Sequence, residues 1–409
     1  MSSPKTIVGY CTNVHAGINV DTILANLRTH ALAVRNDLEQ TQLPVGLWFS
    51  ENAVREALET DGLARIQRSM HEMGLVAYTF NGFPQGDFHS EVVKHRVYQP
   101  TWWDPSRLQY TRDLVRLLDL LLEPGRYGSI STLPIAWGNP MPTPDQWRAA
   151  ADQLVSLAEE LHQRFETTGR HIVLALEPEP GCAITDTSTL RTFFSDYLSE
   201  QQLGSALADR VRRYLTMCHD VCHAAVMGEN QEDELLDCHR EGIRIGKVQI
   251  SSAIRVRWTT MQQDERTAAL KQLGPFAEDR YLHQTMVLFA DGRGELHEDL
   301  PGLIKQTSDA NTLSNQSEWR IHFHVPIDVV DWGLIETTQE EIVRFLEIAR
   351  QEPQLWGSER HFEVETYAWG VLPQSMRVAQ LHEGIARELK WLSRRIASSS
   401  STSGVERHA

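Results

Sequence analysis

The regular alternation of β-like and helix-like segments limits the folds open to this chain more than any other feature of its sequence. Short runs rich in β-branched and aromatic residues alternate with longer apolar segments of helical period. Strands that alternate with helices in this way lie parallel, and each helix crosses back over the sheet. The predicted strands are 6–13, 45–50, 75–84, 129–137, 172–179, 213–220 and 247–252.

An eighth strand is predicted much further along the chain, at 361–367, and an amphipathic helix follows it. The segment of about 253–360 before it is too long for a simple helical crossover. It contains two further β-like runs, 285–291 and 319–327. We therefore predict a (β/α)8 TIM barrel with an insertion between strands seven and eight that folds over the barrel mouth. An open, doubly wound sheet is the alternative, because alternation alone does not determine closure.

The domain organisation follows from the same pattern. Residues 1–396 are predicted to form a single barrel domain that includes the insertion. The Ser-rich segment 397–409 has low complexity and is predicted to be disordered.

Potential metal ligands stand at the C-terminal ends of four predicted strands. They are Glu177, Asp220 with His223 three residues later, Gln249, and Glu365. In a (β/α)8 barrel these ends open onto one face, where active sites lie. Carboxylate oxygens combined with an imidazole or an amide suit a divalent cation such as Mn²⁺, Mg²⁺ or Zn²⁺. The sequence therefore predicts a metal site built from residues that are far apart in the chain.

The charge balance limits the partners of this protein. Its 55 acidic and 39 basic residues give a net charge of −16, which repels nucleic acid and anionic membranes. The five cysteines are scattered, which is typical of reduced thiols in a cytoplasmic protein rather than of a disulfide framework. The sequence has neither a signal-peptide pattern nor an apolar run of spanning length. We expect a cytoplasmic protein without nucleic-acid partners or membrane insertion.

Six motifs resemble a known group of proteins: GYCTNVH, TFNGFPQGDFH, VKHRVYQPTW, GSISTLP, EPEPGC and ETYAWGVLP. With the strand-end residues, they are similar to the EboE group of the xylose-isomerase-like superfamily of TIM barrels. Enzymes of the tagatose/psicose 3-epimerase kind belong to the same superfamily. The resemblance covers almost the whole chain except the Ser-rich tail. It implies a barrel, a divalent metal and, because the EboE gene cluster includes a cyclase resembling sugar-phosphate cyclases, a cyclitol-type substrate.

The chain departs from the epimerases at strand seven, where Gln249 stands in place of their histidine ligand. An amide oxygen can coordinate a divalent cation, but it is a weaker ligand than an imidazole. His322 and His324 are two residues apart on a predicted strand of the insertion, so they face the same side. Either Gln249 or His324 is expected to complete the shell of a Mn, Zn, Co, Fe or Mg ion.

Glu177 and Glu365 are also the predicted catalytic pair. Two carboxylates on opposite sides of a substrate carbon could alternately remove and return a proton, while a metal polarises the adjacent carbonyl. Glu363 faces the same side as Glu365 by strand alternation and is expected to lie deeper in the barrel. A structural ion pair is the alternative interpretation of each carboxylate.

The predicted substrate-binding residues cluster around the barrel mouth. Arginines that follow strand seven suit a phosphate or a carboxylate, although solvated arginines are the commoner outcome. Asn81 precedes a glycine and is also typical of a turn. The full set is His15, Asn81, His223, Arg255, Arg257 and His322.

These features together predict a metal-dependent isomerase or epimerase of a sugar, sugar-phosphate or cyclitol. A metal-dependent hydrolase or lyase is one alternative. A non-catalytic small-molecule carrier on the same barrel is the other, and the glutamine at position 249 is its main support. A homo-oligomer would be consistent with the superfamily.

Overall fold

The computed structural model of the chain describes residues 4–307 and 310–401. Eight parallel strands form a closed barrel: β1 (Lys5–Cys11), β2 (Leu43–Trp48), β3 (Leu75–Asn81), β4 (Tyr127–Thr132), β5 (His171–Leu176), β6 (Leu215–Asp220), β7 (Ile245–Ile250) and β14 (Glu359–Val364). Neighbours in sequence pair side by side from β1 to β7, and β14 closes the ring between β7 and β1. The predicted (β/α)8 TIM barrel is therefore confirmed.

Helices surround the barrel and bury its outer face. One of them is interrupted by a π-helical turn at Leu27–Ala31. The α-helices of the barrel are α1 (Val20–Asn26), α2 (Leu32–Asp37), α3 (Glu51–Glu59), α4 (Gly62–Met73), α5 (Pro105–Leu121), α6 (Pro144–Thr168), α7 (Thr187–Tyr197), α8 (Glu200–Leu203), α9 (Ser205–Tyr214), α10 (Val221–Met227), α11 (Gln231–Arg240), α14 (Gln339–Gln351) and α15 (Leu381–Ser401).

Helix α6 illustrates how local sequence determines these elements. The Thr143 side chain accepts a hydrogen bond from the Gln146 backbone N–H, and the Gln146 side chain reciprocates at the start of the helix. Pro144 occupies the first helical position, where its missing N–H has no cost. Gly169 ends the helix in the left-handed conformation at φ 70°, which glycine adopts without steric strain.

The insertion forms a second sheet of six strands. Its strands are β8 (Ser252–Arg257), β9 (Thr285–Phe289), β10 (Gly294–His297), β11 (Gln316–Val325), β12 (Asp331–Trp332) and β13 (Ile335–Thr337), in the order β10-β9-β11-β8-β13-β12. The predicted runs 285–291 and 319–327 correspond to β9 and β11. A single residue, Ser251, separates β7 from β8, so the chain passes directly from the barrel into this sheet.

The insertion has an apolar core of its own, in which Trp258, Trp319 and Phe323 are fully buried. Two further helices, α12 (Gln263–Leu273) and α13 (Leu300–Gln306), belong to it. The predicted boundary at about 360 is too late, however. Helix α14 lies within that range, yet its Phe345 packs against Phe362 of β14 and belongs to the barrel core.

The C-terminal helix α15 extends to Ser401. Residues 397–401 of the Ser-rich segment belong to this helix, and residues 402–409 of the segment predicted to be disordered lie outside the described part of the chain. All five cysteines are buried and free. Within the described residues, no helix has the length and apolar character needed to cross a membrane.

Candidate metal centre

Three buried carboxylates meet at the C-terminal end of the barrel. Glu177 follows β5, Asp220 ends β6, and Glu365 follows β14. One oxygen of each lies within 4.8 Å of the others, and the three residues are 3%, 2% and 4% exposed. The strand ends thus bring together three of the predicted metal ligands that are far apart in the sequence.

Hydrogen bonds fix two of these carboxylates, those of Asp220 and Glu365, through one oxygen each. Oδ1 of Asp220 accepts from the His223 backbone N–H at 2.9 Å and from the Ser251 hydroxyl at 2.8 Å. Oε1 of Glu365 accepts from the amides of Asn13 at 2.5 Å and Asn81 at 2.9 Å. Within the described residues, Asp220 Oδ2 and Glu177 Oε2 have no hydrogen-bond partner.

His324 of β11 adds a nitrogen from the insertion. Its Nδ1 donates to the backbone carbonyl of Glu365 at 2.9 Å, so the neutral ring has its lone pair on Nε2. That Nε2 lies 3.8 Å from Asp220 Oδ2 and has no hydrogen-bond partner in the described part of the chain. Buried polar atoms that lack partners are costly, and this set of oxygens and nitrogen fits a divalent cation.

Without a cation, the negative charges of the Glu177, Asp220 and Glu365 carboxylates would repel one another. Burial raises the pKa of Glu365 well above its usual range, and the nearby carboxylate of Glu177 raises it further. Burial also raises the pKa of Glu177. Burial would likewise raise the pKa of Asp220, but the imidazoles of His223 and His324 hold it below its usual value. Burial lowers the pKa of His324 to about 4, which keeps its Nε2 available to a metal.

Gln249 lies in the barrel wall between its register neighbours Asp220 and Glu363. It is fully buried, and neither its amide oxygen nor its amide nitrogen finds a hydrogen-bond partner among the described residues. Lys247, two residues earlier on β7, reaches Glu363 inside the barrel. Strand alternation therefore turns Gln249 towards the interior as well. Both candidates for the last ligand, Gln249 and His324, remain close to Asp220.

A pair of histidines extends the cluster towards the insertion. The Nε2 atoms of His223 and His322 are 3.1 Å apart. Nδ1 of His223 contacts the Pro178 carbonyl at 2.8 Å, and Nδ1 of His322 contacts Gln284 Oε1 at 2.8 Å. Asp220, His223 and His324 also form a group whose ligand atoms lie within 4.8 Å of one another.

A pocket opens beside these groups and is walled partly by the insertion. Its apolar and aromatic lining would exclude water from a bound ligand. The lining residues are Asn13, Asn81, Phe83, Pro84, Phe88, Lys94, Val97, Tyr98, Glu177, Glu179, Tyr281, Leu282, Tyr367, Glu365, His223, His322 and His324.

The sequence analysis missed several residues of this pocket. Glu179 accepts hydrogen bonds from the Tyr98 hydroxyl at 2.7 Å and from the Gln284 amide at 3.1 Å. Its position two residues after Glu177 was a usable signal. Lys94 pairs with Asp299 at 2.6 Å, and nothing in the local sequence indicated that it would reach the site.

Three predicted substrate-binding residues lie elsewhere. His15 stacks on His30, with 4.3 Å between the ring centroids, and lines a separate cleft. Asn13, two residues before His15, lines the pocket instead. Arg255 pairs with Glu336 and Glu340. Arg257 lies near Glu318 and Glu336. Opposite charges on neighbouring strands attract these arginines, so they stabilise the insertion sheet instead of lining the pocket.

Comparisons with known proteins add a fold likeness. No protein-family model matches the chain, and no curated protein does either. One similar solved structure is a xylose isomerase domain protein from Alicyclobacillus acidocaldarius, with 14% identity over 96% of this chain and 100% of that chain and a TM-score of 0.44. A second is the IolI protein with a bound zinc atom, with 9% identity over 97% of this chain and 100% of that chain and a TM-score of 0.47. A third is the probable 3-DHS dehydratase AsbF from Bacillus anthracis, with 10% identity over 95% of this chain and 98% of that chain and a TM-score of 0.44. At these scores the likenesses carry no argument about activity.

Proposed function

We propose that this protein is a divalent-metal-dependent isomerase or epimerase of a sugar or cyclitol. The observation that carries the proposal is the convergence of three buried carboxylates beside a pocket, with atoms on Glu177 and Asp220 that have no hydrogen-bond partner among the described residues. Burying like charges together is costly unless a cation compensates them. Glu177, Asp220 and Glu365 would hold the ion, with Gln249 or His324 completing the shell.

A divalent cation held by Glu177, Asp220 and Glu365 would polarise a substrate carbonyl and make the neighbouring C–H more acidic. The protein supplies the proton transfer. Glu177 lines the pocket and has an oxygen without a hydrogen-bond partner among the described residues, so its carboxylate could accept a proton from the substrate and return it. Glu365 is fixed by two amide donors on Oε1, which orients its second oxygen. Glu177 and Glu365 would act on the substrate carbon from different directions.

The pocket favours an uncharged, polyhydroxylated substrate. Asn13 and Asn81 offer amides for hydrogen bonds to a substrate. Tyr98 offers a hydroxyl, and Glu179 offers a carboxylate. The one lysine in the lining, Lys94, is already paired with Asp299, so little positive charge remains for a phosphate. The resemblance to the EboE group supports a cyclitol in particular.

Metal content and proton exchange test the proposal. We expect near-stoichiometric Mn, Zn, Co or Fe in the purified protein by inductively coupled plasma mass spectrometry, and a strong decrease in Glu177→Gln and Asp220→Asn. Glu229→Gln is the matched control, because Glu229 is a half-buried carboxylate that accepts a hydrogen bond from the Thr187 backbone N–H away from the centre. Incubation with ketoses and with keto-cyclitols in D₂O should place deuterium on the carbon next to the carbonyl.

Failure to bind Mn²⁺ or Zn²⁺ even after reconstitution would refute the metal mechanism and favour the carrier. Bound metal without deuterium exchange would instead favour a hydrolase or lyase. The imidazoles of His223, His322 and His324 beside the carboxylates are the observation that keeps this second candidate open, since nitrogen-rich sites commonly activate a water molecule.

A further inference from the structure

We propose that His223, His322 and His324 hold a second divalent cation, Zn²⁺ by its ligand chemistry, next to the carboxylate centre. The inference rests on the proposed function only in that the two ions would share Asp220. All three histidines are buried, at 6%, 5% and 1% exposure. Their ring contacts determine which nitrogen of each is free.

Each ring has its Nδ1 bound to an oxygen that can only accept. His223 Nδ1 meets the Pro178 carbonyl at 2.8 Å, and His324 Nδ1 meets the Glu365 carbonyl at 2.9 Å. Both Nδ1 atoms must therefore carry hydrogen. In a neutral ring this leaves the lone pair on Nε2, and such carbonyl contacts are how proteins orient histidine ligands of metals.

The same argument applies to His322, whose Nδ1 lies 2.8 Å from Gln284 Oε1. The orientation of the Gln284 amide follows from its other contacts, because its nitrogen donates to the Glu179 carboxylate at 3.1 Å. The amide oxygen consequently faces His322, and Nδ1 of His322 is the donor. Nε2 of His322 is then the ring atom that faces His223.

The Nε2 atoms of His223 and His322 face each other at 3.1 Å, and with both rings neutral each would present a lone pair to the other. That separation would be repulsive without something positive between them. Two nitrogens bound to one tetrahedral Zn²⁺ at about 2.0–2.1 Å would lie about 3.3 Å apart, close to the spacing observed. The two rings are also nearly perpendicular, at 80°.

Asp220 completes this arrangement on the side of the carboxylates. Its Oδ2 lies 3.9 Å from His223 Nε2 and 3.8 Å from His324 Nε2, and it has no hydrogen-bond partner among the described residues. Asp220, His223 and His324 have ligand atoms within 4.8 Å of one another, and His322 would add a third imidazole nitrogen beside His223. Such a set suits Zn²⁺, whereas the oxygen-rich set around Glu177 suits Mn²⁺ or Mg²⁺. His324 then belongs to the second ion, and Gln249 completes the first.

The alternative to a zinc ion is a proton shared between the Nε2 atoms of His223 and His322. The number of metal ions bound per chain distinguishes the two interpretations. We would load the full-length protein with Zn²⁺, remove loosely bound metal and measure zinc per chain for the wild type, His322→Gln and Glu177→Gln. We expect two ions in the wild type and one in each variant. His219→Gln is the control and should retain both, because His219 is buried but bonds to Gln231.

Substitution with Co²⁺ identifies the ligands of the second ion. A histidine-rich tetrahedral site should give intense visible absorption that His322→Gln removes and Glu177→Gln retains. Cys222 also lies within 4.8 Å of ligand atoms of His322 and His324; a thiolate charge-transfer band would reveal it as a ligand and contradict the assignment to Asp220.

The outcomes distinguish this inference from the proposed function. One ion that is lost in Glu177→Gln but retained in His322→Gln would overturn the second site and leave the metal enzyme intact. Two ions that both survive His322→Gln would likewise overturn it. No ion in the wild type would overturn both proposals and leave a proton between the two histidines. Circular dichroism of each variant confirms that the barrel is folded.

Discussion

Lys247 and Glu363 form an ion pair inside the barrel, two residues before Gln249 and Glu365 on their strands. The Lys247 Nζ and Glu363 Oε2 atoms are 2.5 Å apart, and both side chains are 0% exposed. Burial alone would lower the pKa of Lys247, but the Glu363 carboxylate raises it. The ammonium and the carboxylate therefore compensate each other in a place that water does not reach.

Removing one partner should cost far more than removing both. Lys247→Met preserves much of the side-chain volume but leaves the Glu363 charge uncompensated, which we expect to lower the free energy of unfolding by about 3–5 kcal/mol. Glu363→Leu should do the same by stranding the ammonium, whose other polar neighbours, the Phe80 carbonyl and the Ser131 hydroxyl, lie at 3.3 Å. The double variant should be more stable than either single variant, because apolar residues replace a buried pair at little cost.

Urea unfolding of the metal-free protein at pH 7, arranged as a double-mutant cycle, measures this coupling. Arg148→Gln is the control, since Arg148 and Asp145 form an exposed pair at 3.6 Å and such pairs contribute little. Single variants that each cost less than about 1 kcal/mol, or a double variant whose loss equals the sum of the two, would refute the reasoning.

Three further perturbations test other parts of the structure. Burial raises the pKa of Glu388 from its usual 4.5 to about 7, so between these pH values the folded state retains a proton that the unfolded chain releases. The free energy of unfolding should therefore fall by about 3 kcal/mol as pH rises from about 4.5 to about 7. Urea unfolding of Glu388→Gln should lack this contribution to the pH dependence. A Cβ at Gly46 would lie 1.3 Å from Glu363 Oε1, so Gly46→Ala should displace that carboxylate and lower the thermal midpoint about as much as Lys247→Met. Arg255→Gln should leave metal content unchanged, because Arg255 pairs with Glu336 of β13 and Glu340 of α14 and does not line the pocket. Loss of metal by mass spectrometry would contradict that placement.

The sequence alone was sufficient for the parallel strands with crossover helices and for the three carboxylates at their C-terminal ends, whereas closure into a barrel was one of two alternatives. Strand–helix alternation is a local property, and parallel strands with crossover helices are its consequence. Because the C-terminal ends of such strands share one face, Glu177, Asp220 and Glu365 could be brought together from their positions in the chain, and the structure places them within 4.8 Å of one another.

Only the tertiary structure decided what the insertion contributes. Its sheet carries Arg255 into ion pairs with acidic neighbours and brings His322 and His324 to the carboxylates. Strand alternation could place the two histidines on one face, but the direction of that face depends on how the second sheet packs on the barrel. Side-chain packing between distant segments leaves no periodic signal in the sequence. For this reason the three carboxylates could be predicted from the sequence. The positions of Glu179 and Lys94 in the pocket, and the orientations of the imidazoles, could be identified only in the tertiary structure.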